Sequence, residues 1–167
     1  MNDLVLVQAQ GDLSVVTLNN PKTRNALSRD VLLLLAEKLE ALRQDKSCRA
    51  VVLTGANGHF CSGGDVSGMQ ADRTLPVARE RMLVAHQVVR LISKLGKPVV
   101  AAVEGYAAGA GFSLALVTDC VVASQSAKFV SSFAKVSLLP DMGLMWTLPQ
   151  RVGLAQALIG DPDVLIL

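Results

Sequence analysis

Two glycine-bearing segments, Phe60–Asp65 and Gly105–Gly111, contain the residues whose types and spacing best suit chemistry. Glycine lets backbone N–H groups come close to a bound molecule because it has no side chain. Two such N–H groups that converge on one carbonyl oxygen would form an oxyanion hole and stabilise negative charge on that oxygen. The same glycines also suit tight turns and close helix packing. Spacing alone leaves both interpretations open.

Each glycine-bearing segment is predicted to follow a buried strand. Ala50–Thr54 and Val99–Val103 are continuous apolar runs, typical of strands covered on both faces of a parallel sheet. Apolar residues recur at helical spacing over Pro76–Leu95, and a short apolar helix is expected over Gly111–Val117. Strands that alternate with helices indicate parallel βαβ units. The sequence therefore predicts an α/β fold with both segments beyond the carboxyl ends of strands, where such sheets usually bind ligands.

Further elements are predicted on either side of these units. Leu4–Gln8 and Leu13–Leu18 are short runs separated by Gly11-Asp12, which indicates an antiparallel hairpin. Ser28 is the predicted N-cap of a helix. The remaining predictions are a strand at Cys120–Ala123, an extended piece at Lys128–Val130 and a helix over Met145–Val152.

Composition excludes several classes of function. The chain has 167 residues, of which 51% are apolar and 18% charged. Its longest apolar stretch is too short to span a bilayer. Its first residues lack the pattern of a signal peptide. Aromatic residues make up 4%, which leaves few stacking platforms for nucleic acid. Cys48, Cys61 and Cys120 have no C-x-x-C spacing, which argues against disulfides and zinc. We expect a cytoplasmic protein with no metal and no nucleic-acid or membrane partner.

Several ordered motifs resemble the crotonase, or enoyl-CoA hydratase/isomerase, superfamily. Phe60-Cys61-Ser62-Gly63-Gly64-Asp65 resembles the F-x-A-G-x-D loop of that family, and Pro98–Gly111 resembles its second loop. The other matching segments are Asn19–Lys22, Asn25–Leu27, Pro140–Gly143 and Leu148–Leu154.

The resemblance extends from Leu4 to Ala157 and implies a fold. That fold consists of repeated ββα units with a parallel sheet. Residues 1–157 would form a crotonase-like acyl-CoA-binding core, and residues 158–167 a divergent short tail in place of the C-terminal helical part of the family. Homotrimers or hexamers would be expected where those helices exist.

The resemblance also implies site residues. The two oxyanion donors of the family fall on the N–H groups of Gly64 and Ala110. The ligand would be an acyl-CoA thioester, so that coenzyme A is part of the substrate and no separate cofactor is needed. Lys22 and Arg24 match basic positions near the coenzyme A phosphates, although solvated surface charges are an open alternative. The implied coenzyme A-binding set is Lys22, Arg24, Ala26, Gly64, Asp65, Val66 and Ser67.

The residues that would select the reaction favour isomerisation. The two glutamates of family hydratases correspond to Ser113 and Phe133, which cannot act as carboxylate bases. Asp141 corresponds to the catalytic carboxylate of several family isomerases and of the dehalogenase branch. The run Phe133–Asp141 also resembles the ring-epoxide phenylacetyl-CoA isomerase branch. The resemblance thus implies an isomerase with Asp141 as the base.

Other functions and another role for Asp141 stay open. The chain could instead be an enoyl-CoA hydratase, a non-catalytic acyl-CoA binder, or an interaction module that joins intact relatives. Without the resemblance, Asp141 after Pro140 would be a plain turn residue.

Overall fold

The computed structural model describes residues 4–66 and 74–158, with all their side chains except those of residues 136 and 154–158. Ser67 and the tail residues 159–167 lie outside this described part. The strands are β1 (Val5–Gln10), β2 (Leu13–Leu18), β3 (Ala50–Gly55), β4 (Val99–Val103), β5 (Tyr106–Ala108), β6 (Cys120–Ala123) and β7 (Lys128–Val130). The helices are α1 (Arg29–Gln44), α2 (Leu75–Ser93), α3 (Ala110–Leu116) and α4 (Leu144–Leu158), and short 3₁₀ helices cover Pro21–Thr23 and Phe133–Val136.

Five strands form a sheet in the order β1-β2-β3-β4-β6. β1 and β2 pair antiparallel, and Gly11 takes φ 65° in the turn between them, so the predicted hairpin is confirmed. β2, β3, β4 and β6 pair parallel. Parallel strands end at the same edge of a sheet, so the segments that follow β3 and β4 leave that edge side by side.

The helices follow from local sequence signals. The Ser28 hydroxyl accepts a hydrogen bond from the Val31 N–H at 3.3 Å, which confirms the predicted N-cap of α1. α1 and α2 pack against each other. Every residue of α3 is buried, as expected for a helix that is apolar all round.

One face of the central strands forms the core. Val51 and Leu53 on β3 are fully buried, and Val52 between them is half-buried; Val99 and Ala101 on β4 repeat this alternation. The predicted coverage on both faces is thus complete on the core face and partial on the other, to which the alternate residues of each strand point.

A second, two-stranded parallel sheet is formed by β5 and β7. Within the glycine-bearing segment Gly105–Gly111, the residues Tyr106–Ala108 form β5, a strand that the sequence does not predict. Three residues are too few to show the alternation by which a strand is recognised. Their pairing partners come from distant parts of the chain, so tertiary contacts decide this element.

Candidate functional site

The two glycine-bearing segments lie side by side in the structure. The Phe60 N–H donates to the Glu104 carbonyl at 2.8 Å, and the Cys61 N–H donates to the Tyr106 carbonyl at 2.9 Å. The Ala108 N–H returns a bond to the Cys61 carbonyl, also at 2.9 Å. This parallel pairing of Cys61 with Ala107 brings the loop after β3 onto the edge of the second sheet.

Two glycines are required where the segments touch. A Cβ on Gly63, whose φ is 111°, would lie 2.8 Å from the Ala108 carbonyl oxygen. A Cβ on Gly111 would lie 2.6 Å from the Cys61 carbonyl oxygen and 2.7 Å from its Sγ. Both distances are shorter than packed atoms allow. The interpretation of these glycines as close-packing residues is therefore correct for Gly63 and Gly111.

Two backbone donors at the same junction are unpaired. Within residues 4–66 and 74–158, neither the Gly64 N–H nor the Ala110 N–H donates to an acceptor, whereas the N–H groups of Asp65 and Gly109 are bonded. The Leu27 N–H donates to the Gly63 carbonyl at 2.8 Å, and the Asp65 N–H donates to the Leu27 carbonyl at 3.2 Å. The Ala110 nitrogen lies 3.8 Å from the Cβ position of Gly63. Two free N–H groups are thus held near each other by the paired groups around them.

The loop of the N-terminal signature positions the first segment. Asn25 is buried and adopts φ 60°, a conformation that asparagine tolerates better than most residues. Its Nδ2 donates to the carbonyls of Ala56 (2.9 Å) and His59 (2.7 Å), while its Oδ1 accepts from the Asn20 N–H at 2.9 Å. In the sequence, Asn25 stands out only as part of the Asn25–Leu27 motif. The Asn-Ala-Leu pattern does not reveal which distant carbonyls this side chain holds.

The sequence-predicted coenzyme A residues lie on this loop and on the first segment. Lys22 and Arg24 are exposed, whereas Ala26 is buried. Ser62 ties the two stretches together, because its N–H donates to the Arg24 carbonyl at 3.0 Å and its hydroxyl donates to the Thr23 carbonyl at 2.7 Å. Asp65 is half-buried and Val66 is exposed.

Asp141 carries a buried carboxyl oxygen. Its Oδ1 has no hydrogen-bond partner within the described part of the chain. Burial raises the pKa of the Asp141 carboxyl, while its own backbone N–H and the charge of His86 act in the opposite direction. The Asp141 carbonyl accepts the Leu144 N–H at 3.0 Å, just where α4 begins. α4 packs against α3, the helix that starts at Ala110.

The positions that resemble those of the hydratase glutamates are apolar or locally bonded. Ser113 is fully buried on α3, and its hydroxyl donates a hydrogen bond to the Gly109 carbonyl at 3.4 Å. Phe133 is buried in the second 3₁₀ helix. Neither provides a group that titrates as a base.

A cysteine–histidine pair is not formed at the first segment. The Cys61 Sγ accepts the Gly63 N–H at 3.4 Å, and burial raises the pKa of the Cys61 thiol to about 12. The His59 ring lies beside Tyr106 instead, with ring centroids 5.7 Å apart. A thiol that stays protonated is a poor nucleophile.

Neither a metal-ligand cluster nor a helix able to span a membrane occurs in the part of the chain that the structure describes. Within residues 4–66 and 74–158, no three His, Cys, Asp or Glu side chains group so that they could hold a metal ion. In the same part of the chain, no helix combines the length and the apolar character needed to cross a membrane.

Comparison with known proteins agrees with the motifs. Residues 8–158 match the family model described as enoyl-CoA hydratase/isomerase. The 1,2-epoxyphenylacetyl-CoA isomerase of Escherichia coli (strain K12) is 40% identical over 161 residues, which are 95% of this chain and 62% of that protein. A probable enoyl-CoA hydratase of Rhodobacter capsulatus is 40% identical over 151 residues, or 87% of this chain and 56% of that protein.

Solved structures share the fold. The crystal structure of an enoyl-CoA hydratase from Polaromonas sp. JS666 matches with a TM-score of 0.85 and 40% identity, over 88% of this chain and 58% of that one. The chain therefore spans less than two thirds of the length of these relatives.

Proposed function

Because the chain belongs to the enoyl-CoA hydratase/isomerase family, we propose that it binds an acyl-CoA thioester and acts as an isomerase with Asp141 as the base. The observation that carries this choice is the Asp141 carboxyl, whose buried Oδ1 has no partner among the described residues. Ser113 and Phe133 supply no second carboxylate. A single carboxylate suffices for a proton shift, whereas hydration in this family uses two glutamates.

The unpaired N–H groups of Gly64 and Ala110 would hold the thioester oxygen. When Asp141 removes a hydrogen α or γ to the thioester, the C–H bond breaks and its electron pair delocalises onto that oxygen. Backbone donors aimed at the developing charge stabilise such an enolate by a few kcal/mol each. The protonated Asp141 then returns a proton to a different carbon, and the double bond moves without net loss or gain of atoms.

The environment of Asp141 supports this role. Burial raises the pKa of its carboxyl, which makes the carboxylate a stronger base than an exposed aspartate. It also lets the protonated form persist long enough to give the proton back.

Coenzyme A would lie along the N-terminal loop and the first segment. Lys22 and Arg24 are exposed cations on a loop bonded to Ser62, where they are accessible to the phosphate groups of coenzyme A. Ala26, Asp65, Val66 and Ser67 complete the proposed contact set.

The test compares Asp141→Asn with the wild-type chain. We expect the variant to lose about 10²–10⁴-fold in turnover of 3-enoyl-CoA, the usual contribution of a positioned acid–base group. Its affinity for a non-reacting acyl-CoA, measured by calorimetry, should stay the same. Asp12→Asn, at an exposed carboxylate, is the matched control. Unchanged turnover in Asp141→Asn would remove this residue from the mechanism.

A hydratase is the second candidate, favoured by the names of relatives such as the Rhodobacter capsulatus protein. An assay with 2-enoyl-CoA separates the two, because a hydratase consumes it and forms a 3-hydroxyacyl-CoA. Tight binding of both substrates with no turnover of either would instead identify a non-catalytic acyl-CoA binder.

A further inference from the structure

Ser132 carries a hydroxyl that the fold does not use. It directly precedes the second 3₁₀ helix, Phe133–Val136, at a position where a serine side chain normally accepts a hydrogen bond from the first turn. Its Oγ forms no such bond, and it has no other hydrogen-bond partner within residues 4–66 and 74–158. The residue is half-buried, so its O–H group is free to donate to a bound molecule.

The Ser132 hydroxyl lies beside the residue that precedes Ala110. A Cβ on Gly109 would lie 3.1 Å from the Ser132 Oγ. The backbone holds the two residues together, because the N–H groups of Gly109 (2.8 Å) and Ser132 (3.0 Å) donate to the same Val130 carbonyl. The peptide group that carries the Ala110 N–H follows Gly109 directly. The hydroxyl is therefore held next to the peptide group of the second unpaired donor.

Ser113, the other serine at this junction, has its hydroxyl already bonded. Its Oγ donates to the Gly109 carbonyl at 3.4 Å, and its N–H donates to the same carbonyl at 3.1 Å. The Gly109 carbonyl thus accepts two hydrogen bonds, one for each of its lone pairs. No acceptor is left on Gly109 for the Ser132 hydroxyl, and the proton of that hydroxyl stays available to a ligand.

We propose that the Ser132 hydroxyl is a third donor to the thioester oxygen, beside the N–H groups of Gly64 and Ala110. This inference rests on the proposed function, because it assumes that an acyl-CoA oxygen occupies the site. A hydroxyl rotates to suit its acceptor, so it can turn toward the oxygen as negative charge develops there. It donates a hydrogen bond and keeps its proton. Because a hydrogen bond to a charged oxygen is stronger than one to a neutral carbonyl, Ser132 would stabilise the enolate more than the substrate.

Acetoacetyl-CoA tests the third donor without any turnover. Its 3-ketoacyl group loses a proton between the two carbonyls, and the resulting enolate, which places charge on the thioester oxygen, is followed by its ultraviolet absorbance. At a pH where the wild-type complex is partly ionised, we expect Ser132→Ala to hold about tenfold less enolate relative to the neutral form, the effect of one lost hydrogen bond to a charged group. Ser132→Thr keeps the hydroxyl and should keep the wild-type ratio. Ser131→Ala, at the exposed neighbouring position, is the matched control.

Turnover and stability separate this role from a structural one. In Ser132→Ala, kcat for 3-enoyl-CoA should fall about tenfold with little change in KM. The thermal unfolding midpoint should stay the same, because the hydroxyl forms no hydrogen bond among the described residues. If Ser132→Ala and Ser131→Ala give the same enolate ratio, or if kcat falls only together with the unfolding midpoint, the proposal for Ser132 is wrong. Failure of the proposed function looks different, because Asp141→Asn would then keep its turnover while the enolate ratio still depends on Ser132.

Discussion

At the scale of single residues, the proposed charge stabilisation depends on backbone atoms at Gly64 and Ala110. Neither N–H has a partner in the described part of the chain, while the N–H groups of Asp65 and Gly109 next to them are paired. The Ala110 methyl group is not needed for this role, so alanine and glycine are equivalent there. The type of residue at position 110 therefore says little about whether a backbone donor is present, and the spacing of the glycines around it says more.

Replacing Ala110 by proline tests the second donor. Ala110 is the first residue of α3, a position where proline is tolerated because its missing N–H has no helical partner. We expect kcat to fall by about 10²–10³-fold, as when one oxyanion donor is removed, with little change in the thermal unfolding midpoint. Ala110→Gly keeps the N–H and should keep kcat. Similar kcat values for the two variants would place the second donor elsewhere.

At the scale of elements, the site depends on how α3 and the loop after β3 pack together. Cys61 pairs with Ala107 and also touches Gly111 on the first turn of α3. A substitution at the contact between Cys61 and Gly111 should therefore displace the N–H groups of both Gly64 and Ala110, although it changes neither residue.

Gly111→Ala and Gly153→Ala form a matched pair that tests this packing. A Cβ at Gly111 would meet the Cys61 carbonyl oxygen at 2.6 Å, whereas a Cβ at Gly153, on α4, would meet nothing within 4 Å. We expect Gly111→Ala to lower the free energy of unfolding by about 1–3 kcal/mol, as overpacking does. Gly153→Ala should raise it by about 0.5–1 kcal/mol, because alanine favours helix. Denaturant unfolding measures both. If Gly111→Ala were as stable as Gly153→Ala, α3 would accommodate the added methyl group without loss of stability.

At the scale of the whole molecule, the burial that suits Asp141 to act as a base also lowers the stability of the fold at neutral pH. The folded state raises the pKa of this carboxyl, so it holds the proton more tightly than the unfolded chain does. The associated stabilisation is complete at pH values below the pKa of the unfolded chain, and it is lost as the pH rises through the pKa of the folded state. Ionised Asp141 thus weakens the fold at neutral pH, which is a common feature of catalytic groups.

Asp141→Asn should accordingly raise the thermal unfolding midpoint at neutral pH, with a smaller difference from wild type in acid. The amide has the shape of the carboxyl but does not ionise, so the cost of a buried charge disappears. Calorimetric unfolding across this pH range measures the effect. A variant that is less stable than wild type at neutral pH would show that the carboxylate is stabilised by its surroundings.

The sequence alone determined the element pattern and the location of the two segments. The hairpin, the parallel strands at 50–54 and 99–103 and the Ser28 cap are all confirmed. These features depend on apolar periodicity and on cap residues within a few positions of each other, so a local reading of the chain suffices. The family motifs likewise lie in short stretches.

Only the tertiary structure decided β5, the role of Asn25 and the setting of Asp141. β5 exists because β7 and Cys61 pair with it, and Asn25 holds carbonyls more than thirty residues away. The raised pKa of the Asp141 carboxyl depends on its burial. Contacts between distant segments create these properties, and no local pattern in the sequence encodes them.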